Sequence, residues 1–189
     1  MMKIIRSHAP KVLAENWEKL GKRYKESGSN FSWQIDGINV RNEILELLRE
    51  MTKDHCSYCD GFPMEAMLGD TIDHFKPKSI FPREAYRWEN LFLCCKICQK
   101  RINQFEEILL KPDEVEYEFS NYFFYNTENG ELEPNKLANE DDKARTEYTI
   151  KIFKLNNYNR PNARKMFFRK FAIDQNPVIE EYPYRFILQ

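Results

Sequence analysis

Apolar residues recur at helical spacing from the first segment onward. Leu13, Trp17, Leu20 and Tyr24 stand at i, i+4, i+7 and i+11, which predicts a helix over 11–25, with Pro10 suited to its first turn. Residues 26–37 (ESGSNFSWQIDG) read as loop. Ile44, Leu47, Leu48 and Met51 form a second helical face within 39–53. After Gly69 the run GDTIDHF is short and β-prone, as is YRWENLFL from Tyr86 to Leu93. Residues 96–110 read as a helix ended by Pro112. Residues 114–125 are aromatic and partly alternating, and the turn signal TENG and Leu132 follow, which predicts a hairpin or a pair of short strands. Two further helices are predicted, over 137–155 (face Ala144, Tyr148, Ile152, Leu155) and over 161–174, before a Pro-containing tail. The expected class is α+β and mostly helical. Three segments are expected: an N-terminal helical segment 1–53, a core 54–112, and a C-terminal hairpin with helices 113–189, packed with the core as one domain.

Length changes this picture little: 189 residues fit one compact domain. Charge changes it more. With 29 Lys+Arg against 30 Asp+Glu the net charge is −1, which excludes a protein that coats nucleic acid through bulk charge. Any such contact must come from local patches. The candidates are Lys76 and Lys78 around Pro77; Lys96, Lys100 and Arg101; and Arg160, Arg164, Lys165, Arg169 and Lys170. Acidic stretches at 113–118, 128–133 and 140–142 oppose them. No apolar run approaches the ~20 residues of a membrane helix. The opening MMKIIRSHAPKV lacks the apolar stretch of a secretory signal, so a cytoplasmic location is expected.

The cysteines carry the clearest chemistry. All 5 lie between Cys56 and Cys98. Cys56-Ser-Tyr-Cys59 and Cys95-Lys-Ile-Cys98 are two C-x-x-C knuckles, a pattern that wraps a tetrahedral Zn²⁺ with four thiolates. Such a metal would contribute to folding rather than to catalysis. Cys94 is left over and reads as a core thiol, with an exchange of register between Cys94 and Cys95 as the alternative. Between the knuckles lies Thr71-Ile72-Asp73-His74-Phe75-Lys76-Pro77-Lys78. Asp73 offers a hard oxygen for Mg²⁺ or a similar cation, and His74 can take a proton from water near neutral pH. A metal with a general base is the minimal equipment for phosphodiester hydrolysis. Asn90, in Trp88-Glu89-Asn90-Leu91, can hold a loop backbone or ligate a metal.

C-x-x-C, D-H-F-x-P-K, W-x-N-L and C-x-x-C in this order resemble the HNH endonuclease family with its ββα-metal fold. The chain further resembles the HNH subunit of retron and Septu anti-phage defence systems through MKIIR near its start, IDHFKPKS, and TIKIFKLNNYNRPNARKMFFRK late in the chain. The resemblance implies that Asp73 ligates a catalytic Mg²⁺ or Mn²⁺. His74 then activates the attacking water, and Asn90 positions the His74 loop or joins the metal. Cys56, Cys59, Cys95 and Cys98 hold structural zinc. Where the family usually has His or Asn after the second knuckle, this chain has Gln99. Where many members have a metal-ligating His it has Asn103, and Ile102 replaces a frequent Lys. The third ligand therefore falls to Asn103 or, second, to Gln99. The implied partners are nucleic acid, an ATPase subunit and, for retrons, reverse-transcribed single-stranded DNA. A catalytically weakened zinc module that binds nucleic acid or the ATPase is the alternative. No Gly-rich phosphate loop is present, so ATP hydrolysis would belong to another chain.

Overall fold

The computed structural model describes residues 1–28, 30–67 and 70–189. Gly69 and Ser29, which fall within two of the segments read above, lie outside the described residues. Helix α1 (Lys11–Ser27) follows Pro10 and ends at Gly28, which takes the left-handed conformation (φ 74°) that closes helices. It buries Leu13 and Leu20, with Trp17 and Tyr24 partly covered. Gly21 is required by packing: a Cβ there would stand 2.1 Å from the Arg83 carbonyl oxygen, where α1 lies against the turn Pro82–Glu84.

The segment read as loop contains a small hairpin. Strand β1 (Gln34–Ile35) pairs antiparallel with β2 (Ile38–Asn39). The turn residues Asp36 (φ 50°) and Gly37 (φ 83°) both have positive φ, as a tight hairpin turn needs, and Asp-Gly is its sequence signature. Helix α2 (Arg41–Thr52) buries Ile44, Leu45 and Leu48 against the next sheet.

That sheet is the centre of the molecule. Strand β3 (Asp70–His74) pairs antiparallel with β4 (Leu91–Cys95), with Asp73 opposite Phe92 and His74 opposite Leu91. Every residue of β4 is buried. The β-prone run 86–93 is divided: Trp88–Asn90 make a 3₁₀ turn, and the strand begins at Leu91 and runs into the second cysteine knuckle.

The helix expected over 96–110 is a correction. Only α3 (Lys96–Gln99) is helical. Ile102 (φ 31°) and Asn103 (φ 56°) turn the chain out of the helix, and Phe105 then packs edge-on against Phe75 and Phe81. Helical propensity here loses to a tertiary contact, the Arg101 guanidinium drawn back to the end of β3. The aromatic run 114–125 also differs. Phe119–Tyr122 form a single helical turn, α4, whose Phe119 ring stacks on Phe123 and Phe186. Only β5 (Phe123–Tyr125) is strand, paired antiparallel with β6 (Leu132–Pro134), so a hairpin does form there.

Helix α5 (Glu140–Ile152) is capped by Asn139, whose side chain accepts from the Asp142 amide. Its buried face is Thr146, Thr149 and Ile152, whereas Ala144 is exposed. The threonines are buried because their hydroxyls serve the Tyr122 carbonyl and the Leu110 amide. Helix α6 (Arg160–Ile173) and two 3₁₀ turns complete the chain. The molecule is α+β among the described residues, and its core includes Leu13, Ile44, Leu48, Leu91, Leu93 and Phe153.

Candidate active site and zinc centre

The two knuckles meet at the end of the β3–β4 hairpin. The four sulfurs of Cys56, Cys59, Cys95 and Cys98 all lie within 4.8 Å of one another, and all four residues are buried. Tetrahedral zinc with Zn–S bonds of ~2.3 Å sets its sulfurs ~3.8 Å apart. Cys59 Sγ and Cys95 Sγ are 3.8 Å apart. The donor set and its spacing therefore fit zinc. The Cys95 amide donates to Cys56 Sγ at 3.4 Å. Arg160, at the start of α6, donates through Nη2 to Cys98 Sγ (3.3 Å) and Cys95 Sγ (3.8 Å). Four thiolates around a divalent ion would carry net negative charge, and this buried guanidinium would offset part of it. Cys94 stands outside the cluster, with its thiol on the Cys95 carbonyl.

Asp73 and His74 occupy successive positions of β3, so their side chains leave on opposite faces. They nonetheless line one cavity of about 230 Å³, because the strand ends at His74 and the chain turns under it. The Asn90 side chain makes that turn. Its Oδ1 accepts from the Lys76 amide (2.7 Å), and its Nδ2 donates to the carbonyls of Lys76 and Glu84 (3.0 Å each).

The His74 ring is oriented by one bond and two aromatic neighbours. Nε2 lies 2.9 Å from the Ala85 carbonyl oxygen, which requires a proton on Nε2 and leaves Nδ1 the basic nitrogen. Nδ1 has no partner among the described residues. Trp33 stacks parallel to the imidazole (6.0 Å, 10°) and Phe31 meets it edge-on (5.1 Å). Burial, and secondarily the Lys78 charge, push the imidazole down to about 3, so the ring is neutral.

Asp73 is held by one oxygen only. Oδ2 accepts from the Tyr58 hydroxyl (2.8 Å) and from Arg101 Nη2 (2.8 Å). Oδ1 has no hydrogen bond among the described residues. Burial pushes this carboxyl up, against the pull of the adjacent guanidinium. Burial also raises the Tyr58 phenol, which keeps its proton and donates. Tyr58 lies between the two ligands of the first knuckle, and Arg101 lies three residues after the second. Each knuckle thus delivers one donor to the same oxygen.

Gln99 and Asn103 line the same cavity. Asn103 is exposed and its Oδ1 accepts from Ser79 (2.7 Å). Among the described residues, the four cysteines form the cluster of three or more metal-ligating side chains, and Asp73 belongs to no such group. One free carboxylate oxygen with two neutral amides fits a hard cation that retains most of its water, as Mg²⁺ does.

The basic residues divide. Lys78 lines the cavity, its Nζ 4.5 Å above the Phe31 ring. Lys76 pairs with Glu107 (3.1 Å), Lys100 is exposed, and Lys165 is half-buried. Arg101 and Arg164 are corrections, since neither presents its charge to solvent. Arg101 is buried on Asp73 and on the His74 and Phe75 carbonyls. Arg164 is buried on the Gly130 and Leu155 carbonyls and on Asn156. A guanidinium can satisfy several main-chain acceptors at once, and sequence spacing does not reveal that use. The roles of Tyr58, Trp33 and Arg160 likewise left no mark in the spacing.

No family model matches the chain. It is similar to the Septu protein PtuB of Bacillus thuringiensis, with 29% identity over 98 residues, which is 52% of this chain and 35% of that protein. The chain thus spans about a third of the relative's own length. The chain is thus similar to a Septu protein, and it carries a four-cysteine cluster of its own that could hold zinc.

Proposed function

We propose that the chain is a metal-dependent HNH-type endonuclease that hydrolyses phosphodiester bonds of nucleic acid, DNA first. It would act in the cytoplasm as the nuclease component of a Septu-type anti-phage defence system, beside an ATPase. A retron-type variant would add reverse-transcribed single-stranded DNA as a partner. Residues 54–112 form its catalytic core, a ββα-metal unit of β3, β4 and α3 stapled by zinc, with 1–53 and 113–189 packed on it.

One observation carries the reading. His74 spends Nε2 on a main-chain carbonyl, which leaves Nδ1 bare and neutral, and His74 lines the same cavity as Asp73, whose Oδ1 is free of hydrogen bonds. In this role Nδ1 takes the proton of a water attacking phosphorus, while the Ala85 carbonyl stabilises the imidazolium that results. Asp73, with Asn103 or Gln99, would hold Mg²⁺ or Mn²⁺. That ion supplies neutralisation of the charge that grows on the phosphate and the leaving oxygen. Asn90 keeps the turn after His74 in place, and Lys78 faces the phosphate. Cys56, Cys59, Cys95 and Cys98 hold structural zinc.

A second reading, a weakened module that binds nucleic acid or the ATPase, has its own support. A fixed cation, Arg101, stands 2.8 Å from Asp73 and opposes a second positive charge. Cleavage of supercoiled plasmid with Mg²⁺ or Mn²⁺ separates the two. The wild type should nick or cut in a metal-dependent way, alone or with the neighbouring ATPase. His74→Ala should lower the rate by about 10²- to 10⁴-fold. Equal rates for wild type and His74→Ala would refute the assignment of the base. No cleavage in either setting would favour the module.

A further inference from the structure

Two hollows meet at Tyr24. One is the His74 cavity. The other, about 180 Å³, lies over α1 and is lined by Arg23, Tyr24, Asn30, Gln34 and Tyr86 among others. On α1, Leu20, Arg23, Tyr24 and Ser27 share the face that lines it, at i, i+3, i+4 and i+7. Lys19 stands one helical turn before Arg23.

The charges on this face are free. Lys19 and Arg23 are exposed and have no ion-pair partner among the described residues. The acids of α1 are engaged or elsewhere. Glu15 is 3.8 Å from Lys11, Glu26 is 4.0 Å from Lys22, and Glu18 lines a separate hollow with Trp17. Across the Tyr24 boundary, Lys78 lines the His74 cavity. A discontinuous row of cations therefore leads from His74 past Tyr24 and back along α1. The side-chain amides of Asn30 and Gln34 are exposed and without hydrogen bonds among the described residues, beside the Tyr24 and Tyr86 rings.

Resting on the nuclease reading above, we infer that this face is the path of the substrate strand. Lys78, Arg23 and Lys19 take successive phosphates, and the second hollow takes one unpaired nucleotide next to the scissile bond. Free amides read base edges, and the half-buried Tyr24 ring accepts a base face; an unpaired strand presents both. The substrate class is thus single-stranded or locally opened nucleic acid.

The test is fluorescence anisotropy of a labelled single-stranded oligonucleotide and of its duplex, without added divalent cation, on the full chain carrying His74→Ala. Adding Lys19→Gln and Arg23→Gln together should weaken single-strand binding about tenfold at low salt. It should also reduce the slope of log K against log[salt] by about 1.4, at ~0.7 per phosphate contact. Lys136→Gln with Lys151→Gln, two exposed lysines to which no role is given, should change neither. Circular dichroism and Tm check that both pairs remain folded. Unchanged affinity and slope in the α1 pair, equal loss in the Lys136/Lys151 pair, or equal binding of duplex and single strand would each overturn the inference. So would an absence of measurable binding. Cleavage keeps the two readings apart. In the catalytically competent chain the α1 pair should raise KM and leave kcat. A wild type that cuts while the α1 pair leaves KM unchanged removes the path and keeps the nuclease; a chain that neither binds nor cuts removes both.

Discussion

At His74 a single hydrogen bond decides which ring nitrogen is free. Because Nε2 is committed to the Ala85 carbonyl, the ring has one free nitrogen, and burial keeps it neutral far into acid, with its titration pushed down to about 3. An ordinary imidazole titrates near ~6.5. On the proposed nuclease reading, the acid limb of a cleavage pH profile should therefore lie below pH ~6.5, and substantial activity should persist at pH 5.5; a limb at the ordinary histidine value would contradict this environment. The same displacement has a sign for stability. Between about 3 and ~6.5 the unfolded chain binds the proton and the native chain does not. Stability should be highest above that window and fall as pH is lowered through it, more steeply in the wild type than in His74→Phe when followed by denaturant titration. Sequence spacing made His74 visible, because Asp-His before a Lys-Pro turn is a local pattern. It did not show which nitrogen is free, since Ala85 lies in a separate turn.

At the element scale, the knuckles do two things. They bring four cysteine sulfurs together, and they aim Tyr58 and Arg101 at one oxygen of Asp73. Between them lie 35 residues whose ends the metal would join. Cys95→Ser should lower zinc content from one ion per chain to well below one, as read by atomic emission. It should cost ~3–5 kcal/mol or more, which corresponds to a Tm lower by about 10 °C or more for a chain of this size. A Cys94→Ser variant should keep both zinc and Tm far closer to the wild type. The element pattern was legible where periodicity is strong, as in α1 and α2. It failed at 96–110, where Arg101 turns inward, and at 26–37, where the Asp36-Gly37 hairpin signal stood inside a stretch read as loop.

At the scale of the whole molecule, distant segments close on the hairpin through buried and partly buried polar contacts. Arg6 donates to the Leu91 carbonyl, and Trp88 Nε1 donates to the Ser7 carbonyl. Arg185 clasps Asp60, just beyond the first knuckle, with Nη2 2.6 Å from Oδ1 and its own amide 2.6 Å from Oδ2. It also donates to the Thr52 carbonyl (3.0 Å). Breaking one side of such a pair leaves the other charge buried and alone. Arg185→Leu should cost ~3–5 kcal/mol by denaturant unfolding, and Asp60→Asn in the same chain should recover part of it. A loss below ~1 kcal/mol would place this contact among ordinary surface pairs.

Whatever depends on neighbours along the chain was legible in residue order. That includes two soft-ligand knuckles at fixed spacing, a hard-oxygen residue and a histidine together on one short strand, and the stripes of α1 and α2. Each is a matter of residue type and local period, which the covalent chain already carries. Tertiary structure alone decided which charges are spent and which are free. Arg101, Arg160 and Arg164 read as surface cations but are consumed by Asp73, by sulfur and by carbonyl oxygen, while Lys19 and Arg23 face solvent beside the site. The physical reason is that burial and hydrogen-bond partners are set by segments far apart in sequence, which the backbone places together only when it folds.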